Sequence, residues 1–164
     1  MPLIQYCPNC WAENLLDTTA CDRCGTALAE SEPIFYDQKL MPSLHHPIPE
    51  TRAMAAMLLG QRRDLHAIPV LLSRLLEETD MGVLCAISKT LGQLGDCRAV
   101  ASLAQRLAPP QALVVALTIV DALAALARTG CWEALNALKA PPPVPERVAQ
   151  EITAMLKTLN QLYY

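Results

Sequence analysis

Beyond residue 50, apolar side chains recur every three or four positions, the spacing that gathers them on one face of a helix. Ile68, Leu71, Leu72 and Leu75 form one such stripe; Val148, Ile152, Met155, Leu156 and Leu159 form another. Polar and turn-forming residues interrupt the stripes at a nearly constant interval. Shifting the chain by 32 residues lays residues 51–75 over 83–107. Leu59-Gly60 then falls on Leu91-Gly92, Asp64 on Asp96, Ala67 on Ala99 and Arg74 on Arg106. A third copy spans 115–140 with Leu123 over Leu91, and two extra residues before Gly130 offset its second half by 34. Self-similarity at a fixed period of this size predicts a repeat protein.

Each unit predicts two helices. The first ends near Gly60, Gln93 and Ala127, and the second starts after Asp64, Asp96 and Gly130. Asp64 and Asp96 suit N-caps, because a short carboxylate accepts from the unpaired N–H groups of a first turn. Pro69 is tolerated so close to a helix start. No single pair buries its own apolar face, so neighbouring pairs must stack. Residues 35–44 are expected to add a partial cap, with Pro42 arguing against a regular helix there, and 45–49 to form the turn into the first unit. Pro141-Pro142-Pro143 stops the third unit, and Pro145-Glu146 opens a last helix that closes the stack. The expected fold is mostly α: an α-solenoid of about three helix pairs over residues 49–140, closed by a capping helix at 141–164. A small N-terminal module (1–30) and a linker (31–48) precede it.

Composition agrees, since Ala and Leu abound, both strong helix formers, and aromatics make up only 4%. The net charge of −3 and a pI near 5.6 supply no basic field for nucleic acid or an anionic membrane. The most apolar run, 112–127, contains Asp121 and falls short of the ~20 residues a membrane span needs. Residues 1–6 lack the charged and apolar regions of a signal peptide. A soluble, cytoplasmic chain without membrane insertion is expected.

Four of the seven cysteines form two CxxC pairs, Cys7/Cys10 and Cys21/Cys24, ten residues apart. Two residues between cysteines let one tight turn aim both sulfurs at a single ion, and two facing turns complete a tetrahedron. One structural zinc ion, Zn2+, held by Cys7, Cys10, Cys21 and Cys24 is the expectation; iron is the rival metal. A redox role is disfavoured because no βαβ unit follows either pair. The surrounding sequence, from Tyr6-Cys7-Pro8 through Asn14 and then Cys24-Gly25 to Leu28, resembles the short bacterial zinc-ribbon family with pattern CPxCGxxN and CxxCGxxL. Trp11 departs from it, standing where the family has glycine. Glycine there eases a turn with positive φ, so Trp11 either covers the metal or is an exposed contact residue. The resemblance implies an interaction module. Its acidic residues Glu13, Asp17, Asp22, Glu30 and Glu32 face only Arg23, which makes phosphate binding by this module improbable.

The repeats lack the ankyrin and tetratricopeptide signatures. They resemble short bacterial HEAT-like repeats of the type also found in phycobilin lyases, with the pattern R-x-x-A-A-x-x-L-G-x-x-x-D-x-x-A-[IV]-x-x-L. Arg52, Ala55-Ala56, Leu59-Gly60, Asp64, Ala67-Ile68 and Leu71 satisfy it, as do Leu91-Gly92, Asp96, Ala99-Val100 and Leu103. Leu84 replaces the arginine in the second unit, Ile87-Ser88 the alanine pair, and Ala124 the third unit's glycine.

The other candidates for chemistry are sparse. Cys85, Cys97 and Cys131 are expected to pack as small apolar groups; Cys97 and Cys131 occupy equivalent repeat positions, which leaves a paired-thiol role open. His45, His46 and His66 have no third ligand at metal spacing, and no nucleophile elbow, phosphate loop or HExxH motif occurs. The chain is therefore expected not to be an enzyme but a scaffold or adaptor for a protein partner. Projecting the second helices puts Arg74, Arg98, Arg106, Trp132, Asn136 and Lys139 opposite the buried leucines as the candidate partner face. Trp and Arg are the residues enriched at interface hot spots. Two other readings stay open: a chromophore-handling or lyase-like protein, on the repeats alone, and nucleic-acid binding through Arg62, Arg63, Arg74 and Arg106.

Overall fold

The structure is a computed structural model that describes residues 4–28, 36–108 and 111–163. It begins with a hairpin of β1 (Ile4–Tyr6) and β2 (Glu13–Leu15), paired antiparallel with Gln5 opposite Asn14. A second, shorter pairing of Ala20 with Ala27 completes the N-terminal module. Residues 31–35 of the expected linker, with Phe35 at the start of the expected cap, lie outside the described residues.

The helices follow in order: α1 (Tyr36–Ser43), α2 (Pro49–Gln61), α3 (Ile68–Glu77), α4 (Met81–Leu94), α5 (Ala99–Leu107), α6 (Leu113–Arg128), α7 (Trp132–Lys139) and α8 (Glu146–Tyr163). They build an α-solenoid of three helix pairs. One layer runs α2, α4, α6 and the other α3, α5, α7, with α1 against α2 at one end and α8 against α6 and α7 at the other. Pro42 does lie within α1, contrary to expectation. The helix ends one residue later, at Ser43.

The two aspartates stand just ahead of the second helices but do not cap them: Asp64 caps the 3-10 turn before α3, and the residue at the N-cap of α5 is Arg98. Asp64 accepts from the His66 N–H at 3.0 Å and Asp96 from the Arg98 N–H at 2.9 Å. In the first unit a short 3-10 turn, Leu65–Ala67, intervenes before α3. The two extra residues of the third unit are absorbed by α6 itself, which has 16 residues where α4 has 14. Gly92 sits where α4 crosses α6, so close that a Cβ there would stand 2.9 Å from the Ala122 Cα.

One continuous core joins the layers, including Leu59, Leu71, Leu75, Leu91, Leu103, Ile119, Leu123 and Leu138, and it extends to Val148, Ile152 and Leu159 of α8. Leu72, Met155 and Leu156 complete their stripes at its edge, half-buried. Among the described residues no helix is long and apolar enough to cross a membrane.

Candidate metal centre and docking face

Each CxxC pair opens into a turn of the same shape. The Trp11 N–H donates to the Cys7 carbonyl at 3.0 Å, and the Gly25 N–H donates to the Cys21 carbonyl at 2.8 Å. The Cys7 and Cys21 N–H groups donate in turn to the carbonyls of Ala12 and Thr26. The two turns are thus near copies, and both fifth residues have positive φ: 72° at Gly25 and 58° at Trp11. The sequence departure at Trp11 therefore keeps the glycine conformation. A bulky L-residue there is held against a cost of roughly 1–2 kcal/mol.

Facing turns bring the four sulfurs of Cys7, Cys10, Cys21 and Cys24 within 4.8 Å of one another. Cys7–Cys24 and Cys10–Cys21 are each 3.6 Å apart. Thiolates about 2.3 Å from a zinc ion at the corners of a tetrahedron would lie about 3.8 Å apart, so the donor set and its spacing fit such an ion. Second partners surround the sulfurs. The Asn9 N–H lies 3.4 Å from the Cys7 sulfur, and the Asn14 side-chain amide 3.7 Å from that of Cys21. Asn14 also accepts from the Asp22 N–H, tying one turn to the other. The Thr26 hydroxyl, 3.1 Å from the Cys24 sulfur, and its backbone N–H bring that thiol down to about 6. Cys7, Cys21 and Leu28 form the module's small buried core.

Trp11 is half-buried rather than projecting into solvent. Its indole N–H donates to the Pro42 carbonyl at 2.7 Å, and its ring meets the His46 ring edge-on at 4.5 Å. Tyr6 packs on His46 as well, at 5.3 Å. His46, which the sequence presented as an ordinary loop residue, is buried, and its Nδ1 accepts from the Ile48 N–H. Burial, and after it the nearby Arg52, hold its pKa below the ordinary value. These contacts dock the module onto the first helices.

Arg52 continues the contact line. It donates to the carbonyls of His46 and Pro47 and, at 2.8 and 2.9 Å, to the two carboxylate oxygens of Glu78. Glu78, just past the end of α3, is 3% exposed. It also takes a bond from Arg74 at 2.9 Å and two from the Thr79 and Asp80 N–H groups, while its own carbonyl accepts from Arg106 at 2.7 Å. This corrects the projected partner face at two positions. Arg74 and Arg106 are turned inward onto Glu78 rather than outward, because long guanidinium side chains reach an acceptor that a helix projection cannot locate. Arg98, Trp132, Asn136 and Lys139 are exposed at the start of α5 and along α7. Arg98 is held by Asp96 at 2.7 Å.

Cys85 is half-buried as expected, 3.6 Å from the Thr118 hydroxyl. Cys97 and Cys131 do not pack as separate apolar thiols. They are joined as a disulfide, with Cys131 buried and Cys97 exposed. A groove of about 370 Å³ between α4 and α6 is lined by Lys89, Gln93, Thr118 and Asp121. Desolvation there, and then the negative Glu151, push the Asp121 carboxyl up.

A family model for HEAT repeats matches residues 38–124. Over 91 residues, 52% of this chain, the sequence is 36% identical to "Bilin biosynthesis protein PecE" of Mastigocladus laminosus. The match covers 33% of that relative, so the chain spans about a third of its length. The relative is a biosynthetic protein by name, and it shares this stretch without a familiar catalytic motif being present in it here. The exclusion of an enzyme, drawn from missing motifs, is corrected by that comparison.

Proposed function

The chain belongs to the HEAT-repeat family, and from that premise we propose that it is a scaffold that binds a protein partner through its second helices. Residues 1–30 serve as a zinc ribbon that closes one end, 49–140 as the binding stack and 141–164 as the cap of the other end. The observation that carries the reading is Trp132. It is 61% exposed at the start of α7, whose other face is fully packed, and Arg98 occupies the corresponding turn of α5. A large exposed aromatic beside arginine is the composition of an interface hot spot. Asn136 and Lys139 extend the same face.

Zinc, in this reading, is held by Cys7, Cys10, Cys21 and Cys24 and supplies folding free energy to a module too small to hold a core alone. It leaves no open coordination position for a substrate.

The test is capture of partners by cross-linking in the cells that make the protein, comparing wild type with Arg98→Glu/Trp132→Ala. The partner retained by wild type should be lost by the variant, while both melt within a few degrees of each other. Equal capture by a stable variant overturns the face.

The similarity to a bilin biosynthesis protein favours a second reading, in which the stack handles a linear tetrapyrrole. A shift in the pigment's absorption on mixing with the full chain supports it, and an unchanged spectrum at excess protein removes it.

A further inference from the structure

We propose that Cys97 and Cys131 are a reversible thiol–disulfide couple that exchanges with small-molecule disulfides and dithiols, a redox site separate from the four-cysteine cluster. The two cysteines are 34 residues apart, and their Cα atoms are 5.7 Å apart, inside the range a disulfide accepts. The repeat brings them together. Both stand in the turn before a second helix, Cys97 ahead of α5 and Cys131 as the residue that opens α7. Each backbone is anchored by its own helix start: the Cys97 carbonyl accepts from the Val100 N–H at 3.1 Å, and that of Cys131 from the Ala134 N–H at 3.2 Å. Closing or opening the bond therefore moves two side chains rather than two helices.

The pair is asymmetric in the way exchange requires. Cys97 is exposed, whereas Cys131 is 2% exposed. The Glu133 carboxylate lies 3.3 Å from the Cys131 sulfur. Starting from two thiols, the Cys97 thiolate attacks a small disulfide, RSSR; its S–S bond breaks, one RS⁻ leaves and picks up a proton, and Cys97 carries a mixed disulfide. Cys131 then gives its proton to Glu133 and attacks the Cys97 sulfur, expelling the second RS⁻, which is protonated in turn. Two cysteine thiols are oxidised and one RSSR is reduced to two RSH. In the reverse direction an external dithiol attacks the exposed Cys97 sulfur, Cys131 leaves with a proton, and the dithiol closes to its own disulfide.

The couple does not depend on the partner-face reading. It does bear on that face, since Arg98 and Trp132 directly follow the two cysteines.

Peptide mapping of the full chain tests the proposal. Trypsin releases Cys97 in residues 90–98 and Cys131 in 129–139, both apart from the four N-terminal cysteines. Treatment of folded, reduced protein with glutathione disulfide should link these two peptides; dithiothreitol without denaturant, removed before the protein is denatured and alkylated, should leave both cysteines alkylated and unlinked. Cys131→Ser, in which serine still suits the helix start, should retain glutathione on Cys97. Cys97→Ser should leave Cys131 unmodified until the protein is unfolded. Circular dichroism confirms that both variants stay helical. The proposal is overturned if the folded protein never forms the 90–98/129–139 link, or if the link resists dithiothreitol until denaturant is added. It is also overturned if Cys131 in Cys97→Ser takes up glutathione as fast as Cys97 does in Cys131→Ser.

Discussion

Replacing Glu78 by glutamine removes one negative charge while keeping the side chain's shape, at a point where two repeats meet. Burial alone would push this carboxyl up, but hydrogen bonds from Arg52, then from the Asp80 and Thr79 N–H groups, outweigh it and bring it from the ordinary 4.5 to about 2. A group whose pKa is lower in the folded state contributes stability that is complete above its unfolded value. That stability is lost as the pH falls through the folded one. The drop from 4.5 to about 2 corresponds to roughly 3 kcal/mol at pH 7. The same size follows from geometry. The Glu78 side chain is 2% exposed and those of Arg52 and Arg74 are 12% and 16% exposed, and removing one partner of a buried ion pair costs roughly 3–5 kcal/mol. The arginines keep some water, which favours the lower end. Urea titrations followed by circular dichroism should therefore place Glu78→Gln about 3 kcal/mol below wild type at pH 7. The gap should shrink by more than half at pH 3, as wild type loses its advantage and the variant does not. A gap of the same size at both pH values would mean that Glu78 acts through packing alone, and no gap at pH 7 would refute the network.

Cys21→Ser should abolish zinc in elemental analysis of protein purified without chelators and unfold the N-terminal module. The far-UV circular dichroism of the helices should survive. Leu103, fully buried in α5, should cost roughly 2–5 kcal/mol when changed to alanine, read as a lowered urea midpoint. Gly92→Val should force α4 away from Ala122 and lower stability by about 1–3 kcal/mol in the same titration; a neutral outcome would disprove the close crossing.

The stacked helices were legible because each repeat writes the same apolar spacing, and in the first two an aspartate, Asp64 or Asp96, marks the turn ahead of the second helix. The four clustered cysteines were legible because two residues between thiols leave a turn few other geometries. Glu78 was not, since it sits in extended backbone with ψ of 143° just beyond α3, where helical spacing no longer says which way a side chain faces. Arg74 and Arg106 were misread for the same reason: their direction is set by that hidden acceptor. Trp11 was recognised as standing in a glycine position, but its acceptor is a carbonyl 31 residues away, at the end of a helix containing proline, where it also accepts from the His45 N–H. The Cys97–Cys131 approach was hinted at by repeat equivalence. Their bond depends on how tightly neighbouring repeats stack, which no single repeat records.

The turn at Trp11 gives the molecule an unusual dependence. Its backbone holds a left-handed bend that belongs to the Cys7–Cys10 turn, while its ring and N–H belong to the first helices. Opening the cysteine cluster would relax that bend and swing the indole off Pro42 and His46. His46 shares its carbonyl with Arg52, and Arg52 grips Glu78, so the disturbance would run on to the carbonyl that anchors Arg106. The state of four sulfurs at one tip would then be felt in the second helix pair, making the N-terminal module a tensioning peg for the stack rather than an appendage.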